Sequence, residues 1–198
     1  MDGLLMKKEC IVRFQPVVDR IEELLACNSG TLLVAIDGMC ASGKTTLGWY
    51  LKERFDCNLF HMDDFFLQSH QKTPERLGEV GGNVDYERFY EEVIQPVLSG
   101  REVVYRPYSC KDGQISESVT VSPKRLNVVE GSYSCHPYFG QIYNLKVFTE
   151  ISPELQRQRI IMRNGAKRFV RFESEWIPKE QAYFEKFAVR EGCLVIGG

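Results

Sequence analysis

The stretch from Gly38 to Thr46 constrains this chain more than any other, because it fits the pattern GxxxxGK[ST] at every fixed position. In such a loop the glycines let successive N–H groups point at one spot, and the following helix adds its positive end. Lys44 would reach the β- and γ-phosphates of a nucleotide, and the Thr45 hydroxyl would ligate a magnesium ion between them. We therefore predict a phosphate site with contacts from Gly38, Ala41, Ser42, Gly43, Lys44, Thr45 and Thr46.

The flanks of the loop have the character that a nucleotide site needs. Residues 31–37 form an apolar, β-branched run typical of a strand buried on both faces, and residues 46–55 continue as a helix. Further strands and helices alternate along the chain, which favours a parallel sheet covered by helices. The predicted fold is α/β: a P-loop NTPase three-layer αβα domain over residues 1–198, with a mainly parallel central sheet, a small β excursion and an arginine-bearing lid near 164–175.

Periodicity and capping signals set the expected elements. A leading helix is expected from Pro16, a strand at 58–62, an irregular stretch at 67–85, and a helix from Tyr86 that Asp85 caps and Pro96 kinks or ends early. The β excursion is expected from a strand at 102–108, an Asp-Gly turn and a strand at 119–121. Later elements are strands at 126–129 and 145–148, a helix capped by Ser152, a last helix opening at Trp176 and a strand at 193–196.

Composition narrows the partners and the compartment. Of 198 residues, 43% are hydrophobic and 26% charged, and the net charge of -2 supplies no general attraction to nucleic acid or to an anionic membrane. The seven cysteines are odd in number and never spaced CxxC, so neither a disulfide framework nor a zinc site is indicated. Residues 1–8 have too short an apolar stretch for a signal peptide. We expect a soluble cytoplasmic protein, and homo-oligomerisation stays open.

Acidic side chains follow two of the predicted strands. A magnesium ion held by a P-loop hydroxyl needs a second acidic anchor, and Glu130 and Asp63 are the two candidates, although an acid after a strand also serves as a helix cap. Transfer to a hydroxyl further needs a carboxylate as general base, and either Asp63 or Asp64 fits. If both remain extended, their side chains point to opposite faces and only one faces the phosphates. His61 is more simply explained as a core or surface histidine than as a metal ligand.

Basic and aromatic side chains supply two further hypotheses. The basic cluster Arg159, Arg163, Lys167, Arg168 and Arg171 would close over a triphosphate and stabilise the charge of the transferring group, and its plainer interpretation is a solvated helix end. The aromatic residues Phe65, Phe66, Tyr105 and Tyr108 flank the acceptor side and would stack a base, and their plainer interpretation is the core.

Several motifs together make the chain resemble uridine kinases, within the uridine kinase, phosphoribulokinase and pantothenate kinase group. They occur in the family's order over nearly the whole chain: Ala41 to Thr46, Asp63 to Phe66, Asn83 to Tyr86, Tyr105 to Tyr108, Val128 to Gly131, and the arginine-bearing helix before a lid. The resemblance implies Mg²⁺-dependent transfer of the γ-phosphate of ATP or GTP to the 5′-hydroxyl of a pyrimidine nucleoside.

The same resemblance implies roles for individual residues. Lys44, Asp63, Arg159 and Arg163 would act in catalysis, with Asp63 as the base, and Arg168 or Arg171 would contact the nucleotide from the lid. Thr45, Asp63 and Glu130 would hold the metal. Asp85 would bind the ribose hydroxyls, and Phe66, Tyr105 and Tyr108 would complete the acceptor pocket with Asp63.

Two departures from the family pattern fall in the acceptor pocket. Cys110 stands near the position of the histidine that contacts the pyrimidine in uridine kinases, and Asp64-Phe65-Phe66 replaces the more usual Ser-Phe-Tyr. The alternatives are therefore a kinase of another small acceptor, such as a pantothenate-like molecule or a sugar phosphate, and a regulatory P-loop NTPase that acts with a protein partner. No Asn-Lys-x-Asp motif of GTPases occurs, and the joint presence of Lys44, Thr45 and the acids disfavours a binding protein without turnover.

Overall fold

A five-stranded parallel sheet forms the centre of the molecule, in a computed structural model that describes residues 8–109 and 112–197. Its strands are β1 (Leu32–Gly38), β2 (Cys57–His61), β7 (Leu126–Glu130), β8 (Leu145–Glu150) and β9 (Leu194–Gly197), in the spatial order β2-β7-β1-β8-β9. All four pairings are parallel. The expected mainly parallel α/β sheet is confirmed, and the carboxyl ends of β1, β2 and β7 meet at one edge.

Helices cover both faces of this sheet. The helices are α1 (Lys8–Cys27), α2 (Lys44–Arg54), α3 (Pro74–Gly78), α4 (Tyr86–Phe89), α5 (Gln95–Leu98), α6 (Pro153–Asn164), α7 (Ala166–Arg171) and α8 (Ile177–Lys186). On one face, Phe14 and Ile21 of α1 and Leu47 of α2 pack with strand residues in one buried cluster. On the other, Phe89 of α4 and Tyr183 of α8 belong to a second cluster. None of these described helices is long and apolar enough to cross a membrane.

The small β excursion consists of two antiparallel pairs rather than one long strand. Strand β3 (Val103–Tyr105) pairs with β6 (Val119–Val121), and β4 (Tyr108–Ser109) pairs with β5 (Gln114–Ile115). The prediction of one strand over 102–108 is wrong because Pro107, which has no N–H to donate, separates two segments with different partners.

Two helices contain an internal proline. Helix α1 begins at Lys8 and contains Pro16, so the prediction that it starts at Pro16 is wrong. Around Pro96, where a kink or an early end was predicted, the helix from Tyr86 runs through a π-helical segment, Tyr90–Ile94, into α5 and ends at Leu98. In a π segment each backbone N–H bonds to the carbonyl five residues earlier instead of four. A carbonyl that would face the nitrogen of a proline can then accept from the N–H of the following residue.

The lid region is helical and joins the last helix directly. Gly165, at φ 82°, ends α6, and the chain then continues through α7, a π-helical segment (Phe172–Trp176) and α8 without a break. The prediction that the last helix opens at Trp176 is confirmed, since α8 begins at Ile177 with Trp176 as its N-cap, and helical chain already precedes it from Ala166. Buried Phe169 and Phe172 pack with Ile160 of α6, and Ala41 of the P-loop packs against this cluster.

Candidate active site

The P-loop joins β1 to α2, and its backbone has positive φ angles at three positions. Gly38, Ala41 and Gly43 have φ values of 130°, 61° and 102°, and successive left- and right-handed residues of this kind form a concave nest of N–H groups. Gly38 is required for a second reason, because a Cβ there would lie 2.1 Å from the backbone oxygen of Thr149. Sequence reasoning identified both glycines, but the left-handed conformation of Ala41 has no sequence signal.

Side chains from three helices hold the outer side of this loop. Arg13 of α1 donates to the Ser42 carbonyl at 2.9 Å, Arg159 of α6 donates to the Ala41 carbonyl at 3.3 Å, and Gln156 of α6 donates to the Cys40 carbonyl at 3.1 Å. Glu180 of α8 accepts from the Cys40 N–H at 2.9 Å. The loop is therefore fixed by its surroundings, and of these four residues only Arg159 was a candidate from the sequence.

Lys44 begins α2, and its side chain folds back onto the P-loop. Its side chain is buried, and its Nζ donates to the carbonyl oxygens of Gly38 at 2.6 Å and Met39 at 2.9 Å. A lysine held across the loop in this way is positioned as the point charge that the predicted phosphate contact requires.

Asp37, the residue before the P-loop, is a buried carboxylate that sequence reasoning missed. It accepts hydrogen bonds from the N–H groups of Gly38 at 2.7 Å, Tyr133 at 3.2 Å and Cys135 at 2.9 Å, and from the Tyr183 hydroxyl at 2.9 Å. Burial raises its pKa to about 6, against the lowering effect of these donors and of Lys44. Asp37 thus joins the start of the P-loop to the segment after β7 and to α8. The available signal was an ionisable residue at the end of a strand buried on both faces.

Thr45, Glu130 and His61 form a connected group at the ends of α2, β7 and β2. The Thr45 hydroxyl donates to Oε2 of Glu130 at 3.2 Å, and Nδ1 of His61 lies 2.5 Å from Oε1. His61 and Glu130 are register partners in neighbouring parallel strands, which explains why their side chains meet. The hydrogen bond to Glu130 raises the pKa of His61, against desolvation. A glycine, Gly48, lets α2 approach, since a Cβ there would lie 3.3 Å from Cγ of Glu130.

Asp63 and Asp64 follow β2 in a 3₁₀ turn, Met62–Phe65, and not in the extended conformation for which opposite faces were predicted. The turn is fixed from outside, because Arg88 donates to the Asp64 carbonyl at 3.0 Å and the Asp85 N–H donates to the Phe65 carbonyl at 2.7 Å. Asp63 is exposed at the protein surface. Surrounding protein raises its pKa by desolvation, and the charge of Glu130 raises it further, while Lys44 lowers it.

The Asp64 carboxylate contacts Tyr105, and it shares His61 and Glu130 as charged neighbours with Asp63. The Tyr105 hydroxyl lies 3.5 Å from Oδ2 of Asp64, and the Tyr105 ring stacks on Phe65 with centroids 5.5 Å apart. Burial also raises the pKa of Asp64, and His61 and Tyr105 oppose that effect. Of the two acids, Asp63 has the closer electrostatic coupling to Lys44 and Glu130.

The predicted acceptor residues lie in different environments. Asp85 is buried, caps α4, and accepts from Gln71 at 2.8 Å, from the Arg88 N–H at 3.2 Å and from Arg88 Nε at 3.4 Å. Tyr105 is buried in the core cluster, whereas Phe66 and Tyr108 are half-buried. Cys110, the other residue singled out for the acceptor pocket, lies outside the described residues.

The segment between β2 and α4, predicted to be irregular, is ordered around one arginine. Arg76 donates to both carboxylate oxygens of Glu87, at 2.7 and 2.6 Å, to the carbonyls of Gly82 and Val84, each at 2.9 Å, and to the Tyr86 hydroxyl at 2.8 Å. These contacts fix the chain immediately before Asp85. A single arginine in a polar stretch gave no sequence signal for this role.

The basic cluster of the lid region separates in the structure. Arg159 contacts the P-loop as described above, while Arg163 donates to Asn164 at 2.9 Å and is exposed. Arg168 is exposed on α7, and Arg171 pairs with Glu175 at 2.9 Å. The structure thus brings one of the predicted arginines to the loop.

The described residues around Thr45 and Glu130 supply too few ligands to hold a metal ion without the phosphates of a nucleotide. Among the residues that the structure describes, no group of three or more His, Cys, Asp or Glu side chains is placed to hold a metal ion unaided. The hydroxyl of Thr45 and the nearby carboxylates are hard oxygen donors, and magnesium in kinases is typically held by one or two carboxylates together with substrate phosphates. The residues present therefore fit a magnesium ion that arrives with a nucleotide.

Comparison with known proteins gives a fold relationship without a sequence relationship. No protein-family model and no curated protein matches the sequence. The structure is similar to that of a possible uridine kinase from Bacillus stearothermophilus, with 20% identity, a TM-score of 0.64, and coverage of 91% of this chain and 99% of that one. It is also similar to phosphoribulokinase from Rhodobacter spheroides, with 13% identity, a TM-score of 0.52, and coverage of 82% and 68%. The chain therefore has the three-layer α/β fold of the P-loop kinases.

Proposed function

We propose that this chain is a magnesium-dependent kinase that transfers the γ-phosphate of ATP, or of GTP, to the 5′-hydroxyl of uridine or a related nucleoside. The observation that carries the proposal is the 3.2 Å contact between the Thr45 hydroxyl and Glu130, with Asp63 near enough for the charges of Glu130 and Lys44 to act on it. A phosphate cradle, a metal-binding pair and a candidate base then occupy neighbouring strand ends. The fold of the possible uridine kinase supports the same assignment.

Each side chain has a defined task in this proposal. Asp63 accepts the proton of the acceptor hydroxyl as that oxygen attacks the γ-phosphorus, and the bond from the γ-phosphorus to the β,γ-bridging oxygen breaks to leave ADP. Lys44, released from the carbonyls of Gly38 and Met39, would bind the β- and γ-phosphates. Thr45, Glu130 and Asp63 would hold Mg²⁺, which supplies charge neutralisation at the phosphates when bound. Arg159 and the lid arginines Arg163 and Arg168 would stabilise the transferring group from α6 and α7.

The charges on the acceptor side favour an uncharged acceptor over a phosphorylated one. Three acidic residues belong to this side: Asp63, which is exposed, Asp64, which is half-buried, and Asp85, which is buried against Gln71 and Arg88. The pKa values of the first two are raised by their surroundings. The half-buried arginines nearby already have acidic partners: Arg76 binds Glu87 through both oxygens, and Arg88 binds Asp85 and Glu92. A sugar phosphate or a carboxylate would have to displace those partners, whereas a nucleoside needs only hydrogen bonds and stacking.

The acceptor contacts complete the proposal. Asp85 would bind the ribose hydroxyls once Gln71 gives up its 2.8 Å hydrogen bond, and Phe66, Tyr105 and Tyr108 would line the base pocket. We treat residues 1–198 as one kinase domain with its lid at about 164–175, acting in the reducing cytoplasm. The five described cysteines that are free of disulfides agree with that location.

A coupled assay over a panel of acceptors tests the assignment. The purified protein is incubated with ATP, Mg²⁺ and, in turn, uridine, cytidine, pantothenate and ribulose 5-phosphate, and the products are separated by chromatography, with Lys44→Met as the inactive control. We expect a nucleoside monophosphate from a pyrimidine nucleoside alone. Phosphorylation of pantothenate or of the sugar phosphate would refute the nucleoside assignment. ATP hydrolysis that no acceptor changes would instead favour the regulatory NTPase.

A further inference from the structure

His61 occupies one oxygen of the candidate metal ligand Glu130. The imidazole Nδ1 lies 2.5 Å from Oε1, and the Thr45 hydroxyl lies 3.2 Å from Oε2. Glu130 is 6% exposed by its side chain, so its two oxygens have little other access to water. The Glu130 carboxylate therefore has Oε1 in contact with His61 of β2 and Oε2 in contact with Thr45 of α2.

The contact is built into the sheet rather than formed by a mobile surface group. His61 ends β2 and Glu130 ends β7 as register partners, and the adjoining ring of Trp49 lies with its centroid 5.9 Å from that of His61. The His61 side chain is 26% exposed, so most of its surface is covered by the surrounding protein. Thus the position of Nδ1 against Oε1 is set by strand pairing and by α2.

We propose that His61 is a positioning residue that limits Glu130 to coordination through a single oxygen and thereby makes the site selective for Mg²⁺ over Ca²⁺. The inference rests on the proposed function, because the metal accompanies the nucleotide. Mg²⁺ takes six ligands in a tight octahedron, with single oxygens from one or two carboxylates, whereas Ca²⁺ takes six to eight and readily accepts both oxygens of a carboxylate. A histidine on Oε1 denies Ca²⁺ the bidentate geometry and leaves Oε2 for Mg²⁺. Hydrogen bonds to ligating carboxylates typically affect metal affinity by 10- to 100-fold.

Three variants separate positioning from bulk. His61→Leu removes the donor, His61→Asn keeps an N–H close to the position of Nδ1, and His61→Gln moves the donor further from the backbone. His70→Leu is the matched control, because His70 is an exposed histidine in a short 3₁₀ turn of the same chain. Circular dichroism and thermal unfolding establish that each variant is folded before its metal affinities are compared.

The measurement is binding, not turnover. Mn²⁺ is bound to the protein in the presence of a non-hydrolysable ATP analogue and without acceptor, its free signal is followed by electron paramagnetic resonance, and Mg²⁺ or Ca²⁺ is titrated as competitor. We expect His61→Leu to lower the ratio of the Ca²⁺ to the Mg²⁺ dissociation constant by about tenfold. His61→Asn should retain the wild-type ratio, and His61→Gln should fall between.

The outcomes distinguish this inference from the function on which it rests. If His61→Leu weakens both metals equally or changes neither, the selectivity role is refuted. The same holds if His61→Asn behaves as His61→Leu does, or if His70→Leu shifts the ratio as strongly as His61→Leu. Should the wild-type protein bind no Mn²⁺ with the nucleotide analogue, the proposed kinase function itself fails. Failure of the acceptor assay alone would leave the selectivity result valid.

Discussion

Replacing Asp37 by asparagine tests whether burial or hydrogen bonding controls the carboxyl group at the start of the P-loop. Four donors point at Asp37: three N–H groups and the Tyr183 hydroxyl. An amide has one acceptor oxygen, so two of the four buried donors lose their partner at every pH. Each such loss costs about 1–3 kcal/mol, which sets a constant offset in the free energy of unfolding.

The informative quantity is the pH dependence added to that offset. Burial raises the pKa of Asp37 in the folded protein to about 6, against 3.8 for an unperturbed aspartate, so the folded state holds this proton more tightly than the unfolded state. The stability contributed by the protonated carboxyl is complete below pH 3.8 and is lost as the pH rises through about 6. Linkage with these two values gives a loss of about 1.4 kcal/mol between pH 5 and pH 8. Asparagine has no such titration.

Urea unfolding followed by circular dichroism at pH 5, 6, 7 and 8 measures the effect. The free energy of unfolding of wild type minus that of Asp37→Asn should fall by about 1.4 kcal/mol from pH 5 to pH 8. Asp56→Asn is the control, because the Asp56 side chain is 89% exposed and its replacement empties no buried site. A difference that stays constant or rises with pH would show that the four donors outweigh burial, which refutes the reasoning.

Two other substitutions address the chemistry and the acceptor loop. Asp63→Asn should lower kcat by about 10²- to 10⁴-fold while nucleotide affinity measured by calorimetry stays close to wild type, and a loss below about tenfold would exclude Asp63 as the base. Arg76→Gln should raise the KM for the acceptor without a matching change in the KM for ATP, because it removes the bidentate contact to Glu87 and the bonds that hold the chain before Asp85. Equal changes in both KM values would indicate a general loss of structure.

The parts of the site that could be predicted are those fixed by strand ends. The P-loop pattern located the phosphate cradle, and the order of apolar runs placed Glu130 after its strand, so the meeting of Glu130 with Thr45 follows from parallel topology. The cap at Asp85 and the Ser152 cap of α6 were also predictable, because capping depends on residues close in the chain. The parallel sheet and the presence of a small β excursion could also be predicted from the sequence.

The parts that escaped prediction depend on contacts between residues distant in the chain. Gln156 and Glu180 reach the P-loop only because α6 and α8 pack beside it, more than 100 residues away in sequence. The order in the segment before Asp85 depends on Arg76, whose partners no local pattern reveals. The π-helical segments at Tyr90–Ile94 and Phe172–Trp176 have no periodic signature that separates them from an α-helix, so neither segment was predicted.

The continuous helix from Ala166 to Lys186 contacts the P-loop region near both of its ends. Glu180 and Tyr183 bind Cys40 and Asp37 through hydrogen bonds near the carboxyl end. Phe169 and Phe172, about 17 Å or less before Glu180 at 1.5 Å per residue, are buried in a cluster against which Ala41 of the P-loop packs. A substitution that changes the angle of this helix would therefore disturb the phosphate loop at two separate points.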